Sequence, residues 1–275
     1  MKYEAAGRSD NALQRVVFII EFAQEFTQAD YAFFDKNARN WRTELPRRSL
    51  TNAVLFTPGS NQVAASNENI VSCSYESMMP DGRIEFGLRF EERRILFLAG
   101  RYTRWSDIWP RAKKHLSNAI SLVLDNNSIV SFGTEYNDLF RATGEYLDFD
   151  PKEILRTESQ YIPPYIFNRN ENFHFHTGFF ETAICESAEE TSSYRILTRI
   201  NADLQDNDEE KARELSIVLF HQISLYREPW VGPKPLPKEI LDRGLDNFVH
   251  LHELDKQVLQ SILNEQMSLT IGLSE

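Results

Sequence analysis

From Ile84 to Phe90 the side chains alternate. Ile84, Phe86, Leu88 and Phe90 are apolar, while Glu85, Gly87 and Arg89 between them are not. A strand with one face in a core and the other toward solvent has this period of two. Glu91–Arg93 then reads as a turn and Arg94–Tyr102 as the returning strand. Ile129–Asn137 repeats the period, with Val130, Phe132, Thr134 and Tyr136 on one face. Asn172–Cys185 and Ser193–Leu204 read as strands around a turn at Glu186–Ser192, and Arg15–Phe22, Asn52–Thr57 and Asn69–Tyr75 as shorter ones. Leu215–Tyr226 reads as a strand, although Leu215, Val218, Leu219, Gln222 and Ile223 also fit a helical spacing.

Three segments carry the helical period instead. Thr27 is placed to cap a helix running to about Leu45, ended by Pro46, with Tyr31, Phe34, Ala38 and Trp41 on one face. Ser106–Leu124 stripes Ile108, Trp109, Ala112, Leu116, Ala119, Ile120 and Val123. A long final helix is expected from Lys238 to Leu269, after a proline-rich stretch from Pro229 to Pro237. Residues 1–10 read as a loose polar tail.

The order of hairpin, strand and helix thus occurs twice. It predicts an α+β fold of two similar halves, each an antiparallel sheet with a helix packed on one face. The N-terminal half spans residues 1–143, a connector with Pro151, Pro163 and Pro164 spans 144–170, and the C-terminal half spans 171–275 and ends in the long helix.

Charge separates these halves. The net charge is −11, but residues 1–117 carry +3 and residues 118–275 carry −14. An acidic half argues against a protein that coats nucleic acid, while leaving room for a local basic face. The apolar run Val16–Ile20 stops at Glu21, and no stretch approaches the roughly 18 apolar residues of a membrane span. With no secretory leader visible and only Cys73 and Cys185, the expectation is a cytoplasmic protein with two reduced thiols and no membrane partner.

Phosphate-cradling, dinucleotide, nucleophile-elbow and His-Glu-x-x-His motifs are missing, so no cofactor is expected. Three groups of residues stand out. His174 and His176 sit two apart on a strand and face the same way, as two ligands of one metal ion would. In the final helix, Leu241, Leu245, Phe248, Leu251, Val258, Leu259 and Ile262 form the apolar stripe, and Asp255 falls near its middle. A carboxylate on a buried face is costly unless paired, and His252, one turn back, is the expected partner. Finally, Arg101, Arg104, Arg111, Lys113 and Lys114 cluster with Trp105 and Trp109, a composition able to hold phosphates and stack bases. Asp206–Glu210 has part of a calcium-loop pattern but lacks its glycine and distal glutamate.

Four short segments also carry a likeness. They are Asn11–Phe22 (without the proline common there), Tyr102-Thr-Arg-Trp105, Ile129–Asn137 with its Gly-x-x-Tyr-Asn, and Leu251-His252. In that order the chain resembles a sporadically distributed family of uncharacterised bacterial proteins of similar length. The resemblance implies no enzymatic activity. The patchy distribution of that family is similar to that of mobile-element, defence or toxin–antitoxin genes.

The leading expectation is therefore a non-catalytic binding or regulatory protein with a protein partner. One alternative is a nucleotide or nucleic-acid module using the Arg101–Lys114 face. The other is a metal-dependent or His/Asp-based hydrolase using His174, His176, His252 and Asp255.

Overall fold

The computed structural model describes residues 2–6, 12–55, 64–143, 149–168, 171–186, 191–209, 211–225, 235–236 and 238–273. Alternation of apolar and polar residues becomes strand throughout. The strands are β1 (Lys2–Ala5), β2 (Leu13–Phe22), β3 (Arg47–Leu55), β4 (Ala64–Met78), β5 (Ile84–Glu91), β6 (Arg94–Ala99), β7 (Ile129–Thr143), β8 (Phe173–Glu186), β9 (Thr191–Asn207) and β10 (Ala212–Leu225). The helices are α1 (Gln28–Lys36), α2 (Trp105–Ile120), α3 (Lys238–Arg243), α4 (Asn247–Ile262) and α5 (Glu265–Thr270).

All ten strands join one antiparallel sheet, ordered β3-β4-β5-β6-β2-β7-β10-β9-β8, with β1 also paired to β7. This corrects the expectation of two separate sheet-and-helix halves. β2 and β7 pair from Leu13–Asp138 to Phe22–Ile129 and fuse both sets of strands across the centre. Each set nevertheless closes in the same way: the last strand of a meander, β6 or β10, returns beside the strand that began it. The expected polar tail is corrected too, because Lys2–Ala5 is strand. β1 ends opposite Phe140 and β2 begins opposite Asp138, so the two occupy one edge of β7 in succession.

Thr27 caps α1 as its sequence suggests. Its side chain accepts from the Asp30 amide, and Asp30 accepts from the Thr27 amide. The helix stops at Lys36 rather than near Leu45, and a 3-10 turn at Ala38–Asn40 takes over. Both Trp41 and Leu45 are still carried into the core. The final helix is likewise not continuous. Gly244 adopts a positive φ of 51°, and the Asn247 amide group donates to the carbonyls of Ile240 and Gly244, which reorients the chain before α4. Leu263 turns extended to bridge Leu155, and Asn264 caps α5. Leu215–Tyr226 resolves as strand up to Leu225, since its partners β7 and β9 accept the period-two reading along its length.

One face of the sheet carries the core, in two clusters. The first packs Phe18, Phe97 and Phe132 under α2 and the start of α4. The second lies under the rest of α4 and residues 149–168, which contribute Phe149, Ile154, Leu155, Ile162 and Ile166. Phe248 joins the elements of the first cluster, edge-on to both Phe18 at 5.4 Å and Phe132 at 5.6 Å. Complete burial of one such ring contributes about 1.5–3 kcal/mol. Cys73 is a free, buried thiol. Among the described residues no helix is long and apolar enough to cross a membrane.

Candidate ligand-binding cleft

A row of polar side chains crosses the apolar face between the bulk of the two clusters. Thr134 on β7 pairs in register with His221 on β10, which pairs with Thr198 on β9. Alternation places all three toward the helices, where aliphatic residues would be expected. Asp255 reaches them from α4, between the apolar positions Leu251 and Leu259. Thr198 Oγ1 lies 3.0 Å from His221 Nδ1, and His221 Nε2 lies 3.3 Å from Asp255 Oδ1. The partner of Asp255 is therefore His221 and not His252, which corrects the expected pairing within the helix. Burial raises Asp255 well above the usual carboxylate range and lowers His221 to about 4, disfavouring the charged form of each.

His252 points elsewhere. Its Nδ1 lies 3.3 Å from the Tyr136 hydroxyl, and its ring lies against Trp105. Trp105 in turn stacks on Trp109 at 5.3 Å and 9°. Burial lowers His252 to about 4.

Two residues along β7 from Tyr136, Asp138 faces the same way. Its side chain is 3% exposed, and Oδ2 has no hydrogen-bond partner. Burial, then the charge of Asp255, push its pKa well up. An unsatisfied buried acceptor costs about 1–3 kcal/mol, more if ionised. Thr134 Oγ1 is likewise buried and unpartnered.

Asp138 and Asp255 sit on the floor of a cleft of about 610 Å³. One wall is Tyr102 and Arg104 from the turn before α2, with Trp105 at its start. Another is His252 and Lys256 from α4, and Leu269–Leu273 close the third side. The turn is tightly fixed. The Gly100 amide donates to the Glu85 carbonyl at 2.9 Å, and a Cβ at Gly100 would lie 2.3 Å from the Ile84 carbonyl oxygen. Thr103 Oγ1 then donates to Asp107 as α2 begins. Buried Tyr102 is held neutral, its pKa raised by burial and by the charges of Asp255, Asp138 and Asp107.

The other expected groups lie apart. His174 and His176 are on the exposed face of β8, and His174 Nδ1 is 2.6 Å from Asp203 Oδ1. Among the described residues no three His, Cys, Asp or Glu side chains gather as a metal site, which corrects the metal reading of this pair. Asp206 accepts from Arg213 at 2.8 Å, an ion pair in place of the partial calcium loop. In the basic cluster Arg101 pairs with Glu85 at 3.3 Å and Lys113 with Asp246 at 3.0 Å. Glu44 takes Lys114, approaches Arg111 at 4.0 Å, and lies 3.2 Å from the buried His115 ring. Arg104 is exposed at the cleft rim, and Trp105 and Trp109 pack against Phe18.

Asp138, Tyr102, Tyr136 and Thr198 were missed as site residues. Asp138 had a legible signal: continuing the Val130–Tyr136 alternation one step places a carboxylate on the core face. His221 had none, because its link to Asp255 spans two elements. Compared with known proteins, no family model matches the chain, and no curated protein matches it either.

Proposed function

We propose that this chain is a non-catalytic binding protein, and that its ligand sits in the cleft between α4, β7 and the turn before α2. Asp138 carries this reading: a residue only 3% exposed, its carboxyl Oδ2 without a protein partner, lining an opening large enough for a small molecule. Buried polar groups are almost always satisfied, and a ligand that donates to Asp138 accounts for this exception. Its stability cost is the kind that binding sites impose on a fold.

Catalysis fits less well. Thr198, His221 and Asp255 have the order of nucleophile, base and acid, but Thr198 and His221 are 0% exposed. A nucleophile must reach its substrate, and this hydroxyl points into packed core.

A thermal-shift screen of small metabolites against the full chain and its Thr270→Trp variant tests the proposal. Thr270 is exposed at the cleft rim, so the indole fills the opening without disturbing the core. Compounds should raise the melting temperature of the wild type and lose that effect in the variant. Shifts of equal size in both proteins, or none in either, would overturn it.

A further inference from the structure

Resting on the cleft as the ligand seat, we infer that its ligand is an organic cation, an ammonium or guanidinium group on an apolar body, with the charge seated at Asp138 and Asp255. The floor is built to accept. Asp138 Oδ2 has no partner, and the contact of Asp255 with His221 runs through Oδ1. Two carboxyls with unused acceptor capacity suit a group rich in N–H donors and disfavour an anion.

The positive charge that would balance these carboxyls is missing from the floor. His221 lies 3.3 Å from Asp255 and His252 lines the cleft, and burial lowers both to about 4. Arg104 from the turn and Lys256 from α4 line the rim, where Lys256 already pairs with Glu253 at 3.3 Å. Among the described residues lining the cleft, the other titratable groups are Tyr102 and Tyr136, both held neutral. A buried carboxyl pair without a cation is poorly solvated, and a ligand cation supplies what is lacking.

The walls fit the same ligand. Tyr102 offers aromatic surface, which attracts cations, and Leu259, Ile271 and Leu273 offer apolar surface for a hydrocarbon body. A bare metal ion fits less well, because Asp138, Asp255 and His252 do not converge as a ligand set among the described residues. Burial pushes the pKa of both carboxyls up, and a bound cation draws it back down. Binding therefore releases protons to solvent.

Calorimetry on the full chain at pH 7 tests this with four probes: n-pentylamine, n-pentylguanidine, 1-pentanol and pentanoate. Titrations are run in phosphate and in Tris, whose ionisation heats differ. The two cations should bind at least about tenfold tighter than pentanol. Their heats should differ between the two buffers, as proton release on binding requires. Asp138→Asn should weaken the cations about tenfold and leave pentanol unchanged. Asp255→Asn serves as the second variant, and circular dichroism confirms that each is folded. Pentanol binding as tightly as pentylammonium, no heat from either cation in the millimolar range, or cation affinity unaltered in both folded variants would overturn the inference. Pentanol binding that Thr270→Trp abolishes would still leave the cleft standing as a ligand seat. Binding by all probes that is indifferent to Thr270→Trp would remove the cleft as well.

Discussion

The indole of Trp105 lies flat on the imidazole of His252, with ring centroids 3.9 Å apart and planes 3° apart. This contact shields one face of a histidine whose other neighbour is the Tyr136 hydroxyl. It explains physically why a residue at the edge of the α4 stripe stays neutral.

Replacing Trp105 with Ala should therefore let water reach the ring and raise the His252 pKa from about 4 toward the ordinary 6.5. The sign for stability follows. A histidine with a depressed folded pKa contributes stability that is present above 6.5 and lost as pH falls toward 4. The variant should show less of that acid-side loss. NMR titration of the His252 ring protons checks the first point, and urea melts at pH 4.5 and 7 check the second. An unmoved His252 titration would contradict the shielding.

His221 and Asp255 should behave as a coupled pair. His221→Leu leaves Asp255 without its partner and should cost about 1–3 kcal/mol. Asp255→Leu should cost a similar amount, and the double variant less than the sum of the two. Urea denaturation of all four proteins measures the coupling, and strict additivity would deny that the contact matters.

Asp138 should weaken the unliganded fold as pH rises. Its folded pKa is raised, so its contribution is fully present below about 3.8 and lost as pH climbs toward the folded value. Asp138→Asn removes that loss. The variant should gain on the wild type by about 1.4 kcal/mol per pH unit across this window. Denaturation series from pH 4 to 8 check this, and a gap that does not change with pH would contradict it.

The turn that carries Tyr102 and Arg104 depends on Gly100. Gly100→Ala drives a methyl into the Ile84 carbonyl, so backbone must move. A loss of about 1–3 kcal/mol is expected, with movement of the Tyr102 amide resonances. A variant as stable as the wild type would show that the turn is looser than described.

Local pattern carried most of the elements into the fold. The Thr27 cap, the Ile84–Phe90 alternation and the α2 stripe are each set by neighbours in sequence; the cap and the strand appear where expected, while α2 runs Trp105–Ile120 and ends short of Leu124. What local pattern could not give was pairing at a distance. The β2–β7 ladder joins residues more than a hundred positions apart and turns two apparent halves into one sheet. The same limit governed the cleft. Asp255 was visible as a misfit on an apolar stripe, but its partner came from β10 rather than from the neighbouring turn. The basic cluster read as a free face because Glu44, Glu85 and Asp246, which neutralise most of it, lie on other elements.

The most direct measurement pairs two quantities for Asp138→Asn: unliganded stability at pH 8, and affinity for any compound that shifts the wild type. If the cleft is the ligand seat, the variant is at least as stable as the wild type and binds about tenfold more weakly. A variant that is less stable yet binds unchanged would make Asp138 an ordinary structural residue and contradict the assignment.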